Sequence, residues 1–218
     1  MYSTMQIKSK QRVEDHGEVF TSHKEVSAML DLVKQETDRI ESRFLEPACG
    51  TGNFLIEVLR RKLNVVEGRY KKSKLEYERY AVLAISSIYG VDIQEDNVFQ
   101  CRQRLFDYFD DCYTTLYGKE CSDDCRNSVK FILGKNILWG DALTMKTVCG
   151  KQDPIIFSEW SAVNGSMIKR RDYSLAHLLA YQPMEGMTLF SDLGETAFIP
   201  KPVKEFPLMH FLKLGDDA

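Results

Sequence analysis

Apolar residues recur at helical spacing near the start of the chain, at Val26, Met29, Leu30, Val33 and Ile40. Just before them, Ser22 is followed by Glu25, the spacing of a capping box in which each side chain bonds to the other residue's backbone N–H. The pattern predicts a helix from about Lys24 to Glu41.

The next segment has the order of a strand, a glycine turn and a helix. Arg43 to Pro47 is short and strand-like, and Ala48-Cys49-Gly50-Thr51-Gly52 follows it. After the turn, apolar residues again keep helical spacing, at Phe54, Leu55, Val58, Leu59 and Leu63. A turn of this kind lets a ligand approach backbone amides without meeting side chains.

Helices and strands alternate through the middle of the chain. The charged stretch from Glu67 to Arg79 runs into the apolar Tyr80 to Ile85, which predicts one long helix. The other predicted elements are a strand at Ile88 to Asp92, a helix from Asp96 to about Phe109, a loop from Cys112 to Asn127, and strands at Ile137 to Trp139 and Ile155 to Phe157. This alternation predicts a parallel α/β sheet.

The last third of the chain has a different pattern. Pro200, Pro202 and Pro207 argue against a long central helix or strand, and helical spacing remains only from Ser174 to Tyr181. The segment is nevertheless too apolar for a disordered tail. We predict an N-terminal helical segment at 1–42, an α/β core at 43–160, and an irregular C-terminal segment at 161–218 that packs on the core or on a partner.

Composition and charge mainly exclude functions. The 218 residues carry a formal net charge of -3, so any DNA contact is expected to be local or to come from a partner. No apolar run is long enough for a membrane span, and the start of the chain is too polar for a signal peptide, which predicts a cytoplasmic protein. The six cysteines fit free thiols. Cys112, Cys121 and Cys125 lack the paired spacing and the histidine of a zinc site, so no metal is expected.

Three acidic residues stand where predicted strands end. Glu46 ends the first strand, Asp92 ends the second, and Asp141 follows the third. Each acid alone is more often a solvated turn residue or a helix cap, but three in register after a glycine turn indicate a ligand site. The ammonium, ribose diol and adenine of S-adenosylmethionine need such acceptors, whereas the third glycine of an NAD fingerprint is absent.

The residues around these acids resemble a known family. Phe44 to Leu55 is similar to motif I of the adenine-N6 DNA methyltransferases of restriction-modification systems, Gly90-Val91-Asp92 to their motif II, and Gly140-Asp141-Ala142-Leu143 to their motif III. Gly17 to Thr21 resembles motif X of the type I modification subunits. The resemblance implies a class I S-adenosylmethionine-dependent methyltransferase (Rossmann-like) sheet, here incomplete, with S-adenosylmethionine as cofactor. The implied cofactor-binding residues are Phe20, Thr21, Glu46, Pro47, Ala48, Cys49, Gly50, Thr51, Gly52, Asp92, Ile93, Asp141 and Ala142.

The family's catalytic motif IV departs from its usual form. The family has Asn, Asp or Ser, then Pro-Pro and an aromatic residue, after the fourth strand, and this chain has Ser158-Glu159-Trp160 there. A degenerate catalytic loop would use Ser158 to accept a hydrogen bond and Trp160 to stack on a flipped base. The alternative is a strand end with a packed tryptophan. Lys169-Arg170-Arg171 fits a solvated surface better than a phosphate contact.

These observations predict an adenine-N6 DNA methyltransferase or its modification subunit, acting on DNA through a partner recognition subunit. Other subunits of a restriction-modification or defence system are the expected partners. A first alternative is a non-catalytic S-adenosylmethionine-binding or scaffold subunit of a restriction or phage-defence complex. Further alternatives are a methyltransferase for RNA, protein or a small molecule, and a nucleotide-binding oxidoreductase.

Overall fold

A computed structural model describes Arg12, residues 21–179 and residues 201–217. Its α-helices are α1 His23–Asp31, α2 Lys34–Thr37, α3 Asn53–Tyr70, α4 Lys74–Ser86, α5 Glu95–Tyr117, α6 Asp123–Asn136 and α7 Leu175–Leu179. Its strands are β1 Phe44–Glu46, β2 Ile88–Asp92, β3 Ile137–Asp141, β4 Lys146–Thr147, β5 Ile156–Val163, β6 Met167–Ser174 and β7 Lys204–His210. Within these described ranges, no helix has the length and apolar character needed to cross a membrane.

The first sheet has the strand order β1-β2-β3-β4. The first three strands are parallel, with Glu46 opposite Gly90 and Asp92 opposite Trp139, and β4 pairs antiparallel with β3. The predicted parallel α/β sheet is therefore confirmed, and its strands at 44–46, 88–92 and 137–141 are close to the predicted positions. Parallel strands bring their carboxyl ends to one edge of the sheet.

The two faces of β2 pack against different partners, because successive side chains of a strand point to opposite faces. Ile88 belongs to a large core that includes buried residues of α3 to α6. Tyr89 and Val91 belong to a second cluster with Phe157 and Leu175. Gly90 lies against α3, where an added Cβ would be 2.9 Å from Leu55 Cδ1. The glycine therefore permits close contact between helix and sheet.

The predicted helices differ from the observed ones at three places. The capping box of Ser22 and Glu25 is present, but the predicted helix from Lys24 to Glu41 is interrupted between α1 and α2. The single helix predicted over 67–85 is instead the end of α3 and the whole of α4, with Ser73 as the N-cap of α4. The predicted loop Cys112 to Asn127 is wrong, because α5 continues to Tyr117 and α6 begins at Asp123.

The loop prediction failed because a few apolar side chains hold a mostly polar segment in the core. Tyr113 and Cys125 are fully buried, although acidic and other polar residues surround them in the sequence. Tyr113 stacks on Phe109 with 5.4 Å between the ring centroids. Tertiary packing of this kind overrides a weak local propensity.

The second sheet is antiparallel, with the order β5-β6-β7. The strand predicted at Ile155 to Phe157 is therefore not a fourth parallel strand but the start of β5. The expectation of an irregular C-terminal third is also wrong for the described residues, since β6 and β7 are regular strands. Pro207 is tolerated because β7 pairs only with β6 among the described strands and lies at the edge of their sheet. The proposed units 1–42, 43–160 and 161–218 stay a prediction, and residue 160 lies inside β5.

Candidate cofactor-binding site

The three acids lie at one edge of the parallel sheet. Glu46 is the last residue of β1, Asp92 the last of β2 and Asp141 the last of β3. The parallel register brings these strand ends together, as the sequence predicted. In open α/β sheets this edge is where ligands bind.

The glycine turn between β1 and α3 has a backbone that other residues would not adopt easily. Gly50 and Gly52 have positive φ values of 50° and 89°. A Cβ added at Gly52 would be only 2.7 Å from Cys101 Sγ. The Cys49 N–H donates to Val91 O at 2.9 Å and so anchors the turn to β2. Both the conformation and the close contact with α5 therefore require glycine at position 52.

Asp92 is buried and holds the turn in place. Its Oδ2 accepts from the Gly50 N–H at 2.8 Å, and its Oδ1 accepts from the Gln94 N–H at 2.8 Å and from Asn97 Nδ2 at 3.2 Å. A carboxylate has about four acceptor positions, so these bonds leave about one for a ligand. Asp92 therefore links the glycine turn to the first turn of α5, a role that the sequence did not indicate.

Glu46 and Asp141 differ in environment. Glu46 is half-buried and, among the described residues, accepts only from the Ala48 N–H at 3.3 Å, and burial raises the pKa of its carboxyl. Asp141 accepts from the Leu143 N–H at 2.9 Å and from Thr144 Oγ1 at 2.9 Å, and these bonds lower its pKa. A nearby cation would therefore stabilise the carboxylate of Glu46 more than that of Asp141, because a cation offsets the cost of burying the charge.

The N-terminus of α3 lies in the glycine turn. Its N-cap is Gly52, and no side chain caps it. The first bond of the helix runs from the Ile56 N–H to Gly52 O. The preceding backbone N–H groups of α3 thus have no carbonyl of their own helix to bind. Such groups, with the positive end of the helix dipole, favour an anion.

The remaining predicted cofactor residues surround this edge. Pro47 and Ala48 are exposed beside Glu46, Ile93 is exposed beyond Asp92, and Ala142 packs on the second cluster. The carbonyl of Thr21 accepts from Asn53 Nδ2 at 3.1 Å, which brings the end of the motif X-like stretch to the glycine turn. Phe20 and residues 17–19 lie outside the described residues.

Ser158, Glu159 and Trp160 do not follow a strand end, so the position expected for a catalytic loop is wrong. They lie inside β5, paired with residues 170–172 of β6. The Ser158 carbonyl accepts from Tyr89 Oη at 3.0 Å, and its hydroxyl donates to Asp172 Oδ1 at 2.7 Å. Buried Trp160 donates from Nε1 to Asn136 Oδ1 at 3.0 Å. These contacts favour the alternative interpretation, a strand with a packed tryptophan.

The basic run Lys169-Arg170-Arg171 is neutralised by acids. Lys169 pairs with Glu205 at 3.2 Å, Arg170 with Asp172 at 2.8 Å, and Arg171 with Glu159 at 3.5 Å. Glu159 also accepts from Arg43 at 2.6 Å. Because each basic residue of the run has an acidic partner, the run is not suited to bind phosphate.

A cavity of about 290 Å³ lies away from the acids. It is bounded by Leu45, Tyr89, Phe157, Tyr173 and Leu179 among others, and the Arg43–Glu159 pair lines it as well. Its lining contains neither the glycine turn nor a strand-end acid. The six cysteines are free, and the described part of the chain contains no cluster of ligands for a metal ion.

Residues 26–111 match the UPF0020 family model, described as RMKL-like, methyltransferase domain. The matched stretch runs from α1 into α5 and takes in β1, the glycine turn, β2 and Asp92. Searches of curated proteins and of solved structures found no match. This stretch is thus similar to a methyltransferase domain, and the strand-end acids Glu46 and Asp92 fall within it.

Proposed function

We propose that this chain binds S-adenosylmethionine at the carboxyl edge of the parallel sheet. The main support is one arrangement inside the matched stretch: two strand-end acids beside a glycine turn that opens an uncapped helix. The residues assigned to the cofactor are Phe20, Thr21, Glu46, Pro47, Ala48, Cys49, Gly50, Thr51, Gly52, Asp92, Ile93, Asp141 and Ala142.

The amino-acid end of the cofactor fits the glycine turn by charge. Its carboxylate is suited to the backbone N–H groups at the start of α3, and its ammonium to Glu46. Glu46 has few bonds of its own and a pKa raised by burial, so an ammonium there would be stabilised by a partly desolvated charge.

The adenosine end is assigned to the ends of β2 and β3. Asp92 retains about one acceptor position for a ribose hydroxyl after its three protein bonds. Exposed Ile93 offers an apolar surface beside it for the adenine ring. Asp141 is exposed to solvent on one side and can accept from the adenine amino group.

We further propose that the methyl acceptor is the N6 amino group of adenine in DNA, as the resemblance of motifs I to III implies. The methyl group then passes from the cofactor sulfur to the adenine nitrogen, which loses a proton, and S-adenosylhomocysteine leaves. Ser158, Glu159 and Trp160 are engaged in packing, so we assign base binding and DNA recognition to a partner chain. The net charge of -3 and the paired basic run support this division.

Two experiments test these proposals. Calorimetry should show binding of S-adenosylmethionine and none of NAD, and the absence of S-adenosylmethionine binding by folded protein would refute the cofactor assignment. Tritiated methyl transfer is measured with unmethylated genomic DNA, tRNA and protein extract as acceptors. It should occur only to DNA, and only in the presence of the co-purified partners. Transfer to RNA or protein would select the second alternative, and cofactor retention without any transfer would select a non-catalytic subunit.

A further inference from the structure

Arg104 of α5 contacts the glycine turn through its guanidinium. Its Nη1 lies 2.6 Å from Thr51 O, 3.0 Å from Thr51 Oγ1 and 3.0 Å from Asn53 Oδ1. Two N–H groups are thus shared among three oxygens of the turn. A guanidinium presents its donors in a fixed plane, so this contact sets the direction of the Thr51 carbonyl.

Asn53 extends the contact to the N-terminal segment. It is the first residue of α3, and while Oδ1 accepts from Arg104, Nδ2 donates to Thr21 O at 3.1 Å. The amide is thus used at both ends, and its orientation is fixed by one donor and one acceptor. An aspartate at position 53 would keep the contact with Arg104 but would place an oxygen against the Thr21 carbonyl.

We infer that Arg104, acting through Thr51 and Asn53, is a positioning residue for the amino-acid end of the cofactor. The inference rests on the proposed binding of S-adenosylmethionine at the glycine turn. By occupying the Thr51 oxygens, Arg104 leaves the opening amides of α3 facing the ligand. Through Asn53 it also holds Thr21 beside the turn. The adenosine end depends on Asp92, Ile93 and Asp141, none of which Arg104 contacts in the described structure.

The test compares two ligands that share the adenosine and the sulfur but differ in the sulfonium charge and at the amino-acid end. S-adenosylmethionine carries that end, and 5′-methylthioadenosine has the adenosine and sulfur without it. Arg104→Met should weaken binding of S-adenosylmethionine about tenfold or more, because the charge-assisted bonds that position the backbone amides at the start of α3 are lost. Binding of 5′-methylthioadenosine should stay within about twofold of wild type.

Three further variants separate positioning from folding. Arg104→Lys should recover part of the lost affinity, since it keeps the charge without the planar fork. Asn53→Asp should lower S-adenosylmethionine affinity while leaving 5′-methylthioadenosine affinity unchanged, because it breaks the link to Thr21 and adds a negative charge near the ligand carboxylate. Gln103→Ala, an exposed position on the same helix, should change neither affinity.

Equal losses for both ligands in Arg104→Met and Asn53→Asp would overturn the inference, because they would show a general structural role. Unchanged affinity for S-adenosylmethionine in both variants would also overturn it. If Arg104→Met does not fold, Arg104→Lys and Asn53→Asp carry the same comparison. Failure of the proposed function is distinguishable, because the wild-type chain would then bind neither ligand.

Discussion

The parallel and the antiparallel sheet of this protein use their charged side chains in different ways. At the edge of the parallel sheet, Glu46, Asp92 and Asp141 accept bonds from neighbouring N–H and O–H groups and have no cationic partner among the described residues. In the antiparallel sheet, acids and cations pair with each other, as in Arg170–Asp172 and Arg171–Glu159. Unneutralised acids at one edge are suited to a ligand that brings its own donors and positive charge. The pair Arg171–Glu159 joins β6 to β5, whereas Arg170–Asp172 lies within β6.

The largest expected effect is on stability, from Trp160→Ala in the antiparallel sheet. The indole is buried and bonded to Asn136, so its removal should lower the free energy of unfolding by about 3–5 kcal/mol. Urea unfolding measures this loss, and calorimetry on the folded variant should show unchanged S-adenosylmethionine affinity. Trp160→Phe keeps most of the packing and should lose only about 1–2 kcal/mol. Wild-type stability in Trp160→Ala, with loss of methyl transfer by the partner complex, would restore the catalytic interpretation.

Asp92→Asn, at the edge of the parallel sheet, should have a smaller effect on stability and should also weaken S-adenosylmethionine binding. The amide can still accept from Gln94 and Asn97, but its nitrogen would face the Gly50 N–H without a bond. We expect a loss of about 1–3 kcal/mol in unfolding free energy and at least about a tenfold loss in S-adenosylmethionine affinity. Asp141→Asn, at a site bonded only within its own turn, is the matched control and should unfold like wild type. Wild-type stability and affinity in Asp92→Asn would show that the carboxylate neither holds the turn nor contacts the ligand.

The smallest effect is expected for Lys62, a buried lysine near the amino ends of β1 and β2. Lys62 Nζ donates to Ile40 O at 2.8 Å, to Ser87 Oγ at 2.7 Å and to Ser42 O, and burial lowers its pKa to about 7. The unfolded chain holds this proton up to about pH 10.4, so between the two pKa values the unfolded state binds more protons. The free energy of unfolding should therefore rise with pH, by up to about 1.4 kcal/mol per unit above pH 7.

Lys62→Met removes this titration and serves as its control. The difference in unfolding free energy between wild type and Lys62→Met should grow by up to about 1 kcal/mol from pH 7 to pH 8. Urea unfolding at several pH values measures it. Parallel pH dependences for the two proteins would show that Lys62 does not change its protonation on unfolding in this range.

The contrast between the sheets also explains which parts of the fold and of the candidate site are predictable from the sequence. A strand end, a glycine turn and an acid lie close together in the chain, so the edge formed by Glu46 and Asp92 was predictable from local patterns. The direction of a strand is different, because the apolar run Ile155 to Phe157 fits a buried parallel strand and an antiparallel one equally well. Its actual partner, β6, follows directly after the turn at Asn164-Gly165, a dipeptide typical of an antiparallel hairpin.

One residue, Arg104, and one contact, that of Asp92 with Gly50, were not predictable from the sequence. Arg104 stands on a helix among other charged and polar residues, and nothing in its sequence position distinguishes it from a solvated arginine. Only the fold brings it against Thr51 and Asn53, which lie 53 and 51 residues earlier in the sequence. The bonds of Asp92 to Gly50 are likewise a property of the sheet register.

The central claim is that ligand chemistry belongs to the parallel edge and not to the antiparallel sheet. Hydrogen–deuterium exchange with and without saturating S-adenosylmethionine tests it most directly. We expect slower exchange in peptides that cover residues 46–56, 92–97 and 140–144, and no change in residues 156–174 and 204–210. Slower exchange confined to the antiparallel sheet, or no change anywhere at a saturating concentration, would contradict the account.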